Sequence, residues 1–394
     1  MKQFPKVILH AGKERSLKLF HPWVFSGAIA TVEDNPAEGD IVEVFTAKGE
    51  YLATGHFHNG SIKVRLFSFT RTDAGESFWN DKLAAAFLFR KNIGLIDNKH
   101  TEIYRLVHAE GDGLPGLIID IYGTVAVIQT HTLGMHRVKP FLLSALKEIY
   151  GSKLESVYDK SADTMGKQGV EKIENGFLYG EKESGSFKEN DLQFHVNWVE
   201  GQKTGFFIDQ RENRNLLMKY SSGKKVLNTF AYSGGFSMYA LKGGATYVQS
   251  IDSSKKAAEL SDLNARLNGF EKNHSSLTID AFDFLKKTDE KYDIVILDPP
   301  AFAKHLSSAG NAMIGYRNLN TEGIKKVSAG GMLFTFSCSQ VIDKTLFRKL
   351  IFQAAAQAKR NVRIIYQLTQ SPDHPVSIYH PEGEYLKGLV LVID

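Results

Sequence analysis

The chain has 394 residues, 43% of them hydrophobic and 23% charged, with a formal net charge of +4. This is an ordinary globular composition, long enough for two or three domains, and no apolar run could span a membrane. A single cysteine, Cys338, excludes an internal disulfide and any cysteine-rich zinc or iron–sulfur site.

The opening residues, Met1-Lys-Gln-Phe-Pro-Lys6, lack the apolar stretch of a signal peptide, so a cytoplasmic protein is expected. The first twenty residues carry Lys2, Lys6, Lys13, Arg15 and Lys18 against Glu14 alone. Lys13, Arg15 and Lys18 are candidate contacts to a nucleic-acid backbone; a solvated terminal face would have the same composition. Residues 1–73 read as a small β domain. Strands are expected over 40–45, 51–55 and 61–67, with turns at Lys48-Gly49 and Asn59-Gly60. In the last strand Lys63 and Arg65 share one face, a surface suited either to phosphates or to solvent. His56 and His58 alternate on a strand, but a pair alone makes no metal site.

Residues 74–190 read as an α+β middle domain. A helix is predicted over 80–92, with Leu83, Phe87 and Leu88 on its apolar stripe. Two β-rich runs surround Gly123, a helix follows over 135–150, and polar strands and turns continue to about Asn190. Nothing in this stretch names a chemistry.

From Leu192 the pattern changes. Residues 202–214 lead into a helix ending near Tyr220. Strands are then expected at 226–227, 247–251, 277–279, 292–297, 332–336, 362–368 and 389–393, with helices in most gaps. Such alternation predicts a parallel, doubly wound sheet. The last two strands are joined by a polar loop without a helix, so they should be antiparallel. That ending fits a class I methyltransferase fold better than a nicotinamide-binding one.

The stretch from Lys225 to Ala240 is a strand, a turn of small residues and a helix, the opening unit of a nucleotide-binding sheet. It supplies only Gly234-Gly235 of the dinucleotide fingerprint, so a nicotinamide enzyme is a distant reading. The second strand ends at Asp252, at the spacing expected of a carboxylate that binds ribose hydroxyls, and Ser253 and Ser254 can cap the next helix. The fourth strand ends in Asp298-Pro299-Pro300-Ala301-Phe302. An acid, two stiffening prolines and an aromatic ring could hold a planar base; a helix cap with turn prolines is the plainer alternative. The fifth strand ends in Ser337-Cys338-Ser339, which puts the one thiol at the mouth of the sheet, as a nucleophile or as a small buried side chain.

Taken together, several motifs resemble one family. They are Gly12-Lys13 through His21-Pro-Trp-Val-Phe-Ser-Gly27, Thr204-Gly-Phe-Phe-x-Asp-Gln-Arg211, Asn228-Thr-Phe-x-Tyr-Ser-Gly-Gly235, Asp298-Pro-Pro-x-Phe302, Ser337-Cys-Ser339, Asp373-His-Pro-Val376, and Pro381-Glu-Gly-x-Tyr-Leu-Lys-Gly388. This set is similar to the 5-methylcytosine methyltransferases of large-subunit ribosomal RNA. The resemblance implies S-adenosyl-L-methionine as cofactor and ribosomal RNA as partner, with neither membrane nor metal. It implies an α/β architecture with a class I Rossmann-like sheet over 191–394. A small PUA-like β-barrel over 1–73 and the α+β domain over 74–190 precede it.

The resemblance also implies roles. Cys338 attacks cytosine C6, and Asp298, which also borders the cofactor, holds the base edge beside Pro299, Pro300 and Phe302. Asn228, Phe230, Tyr232, Ser233 and Gly234 line the methionine end. Asp252 and Ser253 meet the ribose, Asp280 and Phe282 the adenine, and Phe207, Asp209 and Arg211 close the pocket. Asp280 could equally be a helix cap, and Phe230 and Phe282 could equally be core. Many 5-methylcytosine enzymes have a second thiol after the fourth-strand proline; here Ala301 follows Pro300, so the base that removes the C5 proton is unassigned. A methyltransferase acting on nitrogen, or an RNA-binding assembly protein, remains an alternative. The sequence leaves the oligomeric state open, a homodimer included.

Overall fold

A computed structural model describes residues 3–165, 173–303 and 309–394, so the expected basic residue Lys2 lies outside the described residues. The chain forms two compact units. One comprises Met1–Phe187, Val196–Phe206 and Pro372–Gly383; the other comprises Lys188–His195, Phe207–Ser371 and Glu384–Asp394.

The first unit begins with β1 (Lys6–Leu9), α1 (Arg15–Lys18), β2 (Trp23–Phe25), β3 (Ile29–Val32), β4 (Ile41–Phe45), β5 (Tyr51–Phe57) and β6 (Ile62–Ser68). They form a six-stranded sheet in the order β2-β6-β5-β4-β1-β3. Alternation places Val42, Val44, Val64 and Leu66 in its core beside Val7, Leu9 and Val24. Arg65 does not present its charge outward. It pairs with Glu110 at 3.0 Å and lies over the Trp23 ring.

Next come α2 (Glu76–Asn92), β7 (Ile103–His108), β8 (Leu117–Tyr122), β9 (Val125–Thr130), α3 (Leu133–Arg137), α4 (Lys139–Tyr150), β10 (Ser156–Asp159), α5 (Ala162–Met165) and β11 (Gly176–Tyr179). The five strands pair in the order β11-β10-β9-β8-β7. Two expectations are corrected here. Leu88 is 56% exposed, and the buried stripe of α2 is Trp79, Leu83, Ala86 and Arg90. A charged residue completes that stripe because Arg90 is paired with Asp112 and donates to the carbonyls of Arg105 and Asp373. The single helix expected over 135–150 is two helices, interrupted at Val138. Pro140, which has no N–H to donate, sits in the first turn of the second.

The hairpin of β12 (Ser184–Glu189) and β13 (Leu192–Asn197) contributes residues to both units. The second unit continues with α6 (Arg211–Met218), β14 (Lys225–Thr229), α7 (Gly235–Lys242), β15 (Tyr247–Asp252), α8 (Lys255–Leu267), β16 (His274–Thr278), α9 (Ala281–Lys287) and β17 (Tyr292–Leu297). It ends with α10 (Ala309–Lys326), β18 (Val327–Ser337), α11 (Lys344–Ala358), β19 (Val362–Leu368) and β20 (Lys387–Ile393). The seven strands lie in the order β16-β15-β14-β17-β18-β20-β19. Neighbours from β16 to β18 are parallel, and β20 is antiparallel to both β18 and β19. The expected α/β sheet with an antiparallel end is therefore present. A buried ion pair holds its first helices in place. Arg214 of α6 forks onto Glu189 at 2.7 and 2.8 Å, and Tyr239 of α7 donates to the same carboxylate at 2.9 Å.

Candidate active site

The strand order explains how distant residues meet. β16, β15, β14, β17 and β18 run the same way, so the chain leaves all five at one edge of the sheet. Ligands of open α/β sheets bind at this carboxyl edge. Along it follow Asp280, Asp252, the turn from Phe230 to Gly235, Asp298 and Cys338, each at or just past a strand end.

The turn after β14 has an unusual backbone. Phe230, Tyr232 and Gly234 are all left-handed, with φ of 56°, 46° and 72°. Only glycine takes that conformation without cost, so two bulky aromatics there mark stored strain of the kind found at binding sites. Gly234 is required for a second reason: a Cβ there would lie 2.3 Å from Ser261 Oγ on α8. Ser233 is buried, and its carbonyl accepts from Asn264. Asn228 is buried and donates to Ser237 Oγ at 2.9 Å.

The Asp252 carboxylate is built into this turn. One oxygen accepts the Tyr232 N–H and the other the Ser254 N–H, both at 2.9 Å. A carboxylate accepts about four hydrogen bonds, so its remaining lone pairs suit the hydroxyls of a ribose. Ser253 is exposed beside it, and Ser254 caps α8. Asp280 caps α9, its Oδ1 accepting from Phe282 and Asp283 N–H at 2.9 and 3.1 Å. Phe230, Phe282 and Phe302 are half-buried against the sheet core. Phe302 lies 6.0 Å from Phe282 and 4.6 Å from Tyr316, centroid to centroid.

The segment before α6 reaches both parts of the edge. Phe207 meets Tyr232 edge to face at 5.3 Å. Asp209, 8% exposed, accepts from Tyr385 Oη at 2.7 Å. Arg211 is 2% exposed, its Nε 3.3 Å from Glu212. Between them Gln210 donates from Nε2 to Asp298 Oδ1 at 3.1 Å, while its own oxygen accepts from Asn213 at 2.6 Å. The second bond decides which end of the amide faces Asp298. Pro299 is buried and Pro300 exposed.

Cys338 is half-buried. β17 and β18 are paired parallel neighbours with Leu297 opposite Thr335, so Asp298 directly follows the end of β17 and Cys338 directly follows the end of β18, at the same edge of the sheet. Lys387 on β20 stands opposite Ser337 and donates to the carbonyls of Ser339 and Tyr385, each at 2.7 Å. Burial lowers the Lys387 ammonium to about 8, while the charge of Cys338 favours keeping its proton. Tyr316 Oη lies 3.1 Å from Ser339 Oγ, and burial raises its pKa. Gln210 and Lys387 were not singled out from sequence, although both lie inside quoted motifs. Lys13, Arg15 and Lys18 lie in the first unit, exposed on and before the single-turn helix α1. No group of three or more His, Cys, Asp or Glu among the described residues could hold a metal ion, and none of their helices is long and apolar enough to cross a membrane.

Comparison with known proteins adds to this geometry. Residues 7–69 match a family described as PUA-like domain, and residues 174–383 match the S-adenosylmethionine-dependent methyltransferases. The ribosomal RNA large subunit methyltransferase I of Vibrio campbellii is 38% identical over 391 residues, covering 97% of this chain and 98% of that protein. A solved structure of a methyltransferase from Streptococcus mutans is 24% identical and superposes with a TM-score of 0.83 over 98% of this chain and 99% of the other. Another, of a methyltransferase complexed with SAH, is 24% identical with a TM-score of 0.85 and the same coverage.

Proposed function

Because the chain belongs to the family of S-adenosylmethionine-dependent methyltransferases that includes ribosomal RNA large subunit methyltransferase I, we propose that it methylates C5 of a cytosine in large-subunit ribosomal RNA through a covalent adduct with Cys338. The observation that carries the reading is the emergence of Cys338 and Asp298 from adjacent parallel strands at the carboxyl edge. The left-handed turn and Asp252 along the same edge suit the cofactor. In this reading the RNA-binding domain is 1–73, the middle domain 74–190 and the catalytic domain 191–394, with Lys13, Arg15 and Lys18 facing phosphates.

When bound, the cofactor supplies an electrophilic methyl group on a sulfonium. Cytosine C5 is a poor nucleophile, and the role of Cys338 is to change that. Its thiolate adds to C6 as the C5–C6 π bond opens, which loads C5 with electron density; once C5 carries the methyl, loss of the C5 proton re-forms the double bond and expels the thiolate from C6. The Lys387 ammonium, beside Cys338, favours the thiolate. Asp298 accepts from the exocyclic amine of the base and steadies charge that develops during addition, and Gln210 orients it. Asp252 binds the ribose hydroxyls, and Phe230, Tyr232 and Phe207 enclose the cofactor. Asp280 and Phe282 meet the adenine, while Pro299, Pro300 and Phe302 wall the base.

The test is incubation with unmodified ribosomal RNA and methyl-labelled cofactor, followed by nucleoside analysis. Label in 5-methylcytidine is expected, with Cys338→Ala reducing transfer by on the order of 10⁴-fold or more. Label on a nitrogen, or full transfer by Cys338→Ala, rejects the thiol mechanism in favour of direct attack by a base nitrogen.

A further inference from the structure

A cavity of about 460 Å³ opens in the first unit between α1, β6, the turn after β7 and the segment around Tyr379. Two of its rings are half-exposed, Phe20 at 49% and Tyr379 at 50%, with centroids 5.4 Å apart. Phe69 supports Phe20 from behind, edge to face at 5.3 Å. Phe20 has a φ of 63°, a left-handed conformation that a large side chain adopts only at a cost.

The cavity also contains an uncompensated charge. Lys82 of α2 lines it, and burial lowers its pKa. Its Nζ lies 5.6 Å from the Phe78 ring, and among the described residues no acid or carbonyl receives it. Glu110, the acid in the wall, is already held by Trp23 Nε1 at 2.8 Å and Arg65 at 3.0 Å. A half-buried ammonium without an anion is costly, and an entering anion relieves the cost.

We propose that this cavity binds one nucleotide of single-stranded RNA, its base stacked on Tyr379 with the tilted Phe20 ring against its edge, and its phosphate against Lys82. Ring faces accept any base, and a lone cation accepts a phosphate. The inference rests on the RNA reading above and adds a contact away from the reacting base.

The test uses the full-length protein and a labelled single strand of about 12 nucleotides, with anisotropy followed between about 50 and 200 mM salt. Tyr379→Ala is expected to weaken binding about tenfold, and Tyr379→Phe to leave it unchanged. Lys82→Gln is expected to weaken it several-fold and flatten the slope of log K against log salt by about 0.7. Cofactor affinity of these variants should match the wild type, and Lys82→Gln, which removes a costly half-buried charge, should melt no lower than the wild type. Wild-type binding with Lys82→Gln and Tyr379→Ala indistinguishable from it overturns this site alone. A wild type that binds no RNA overturns the site together with the RNA reading.

Discussion

Asp252 and Lys387 at the sheet edge of the second unit each make two hydrogen bonds, and Asp298 is met by Gln210; Lys82 in the cavity of the first unit makes none among the described residues. The aromatic side chains differ in the same sense. Phe302 is wedged between Phe282 and Tyr316, whereas Phe20 and Tyr379 leave half their surface to solvent. On the two proposals made above, the difference matches what each place would do. Chemistry at a base needs groups whose orientation is settled before the substrate arrives, because a small misplacement costs orders of magnitude in rate. Holding a strand of any sequence needs accessible ring faces and a charge awaiting a phosphate.

If the sheet edge is built for chemistry, removing a supporting group should damage rate more than binding. The largest such effect is expected for Lys387→Met, with methyl transfer at neutral pH falling about 10²-fold and cofactor affinity unchanged. The sign of its pH dependence is fixed. Lys387 is protonated in the folded protein below about 8, so the wild type should lose its advantage over the variant as pH rises through that value. The unfolded chain keeps the same proton to a higher pH, so wild-type stability should also rise from pH 8 upward. Single-turnover rates and denaturant curves across pH 6.5–9 check both.

A smaller effect is expected at Gln210. Gln210→Ala removes one donor from Asp298 and should lower kcat about tenfold with KM little changed. Gln210→Glu should be worse, since it faces one carboxylate with another; equal activity of both variants would reduce Gln210 to packing. Gly234→Ala tests the turn. It must carry φ of 72° and fit a methyl 2.3 Å from Ser261 Oγ, so a loss of about 1–3 kcal/mol in urea is expected, with little change in kcat at saturating cofactor.

The parts of this architecture that could be read in the sequence are those where one physical signal dominates. The central strands, such as Tyr292–Leu297, are apolar runs flanked by polar helices, and their ends place Asp252, Asp298 and Cys338 along one edge. Strand β16 was expected to start three residues late and end one residue late because its observed sequence, His-Ser-Ser-Leu-Thr, has no apolar run. β1, β2 and β3 were not expected at all; they are three or four residues long, too short for alternation to register. Gln210 and Lys387 escaped for another cause. Their partners Asp298 and Ser339 are 88 and 48 residues away, and only the folded sheet brings them together. Leu88 misled because the helix buries Arg90, whose partners come from elsewhere in the chain.

The insertion of β20 between β18 and β19 carries a consequence for biosynthesis. β19 reaches the sheet only through β20, yet is translated before it, so on the ribosome it has no docking place until the later strand emerges. The same late strand delivers Lys387 to the neighbourhood of the thiol. A nascent chain halted before residue 387 therefore lacks both the strand that joins β19 to the sheet and the ammonium that β20 carries.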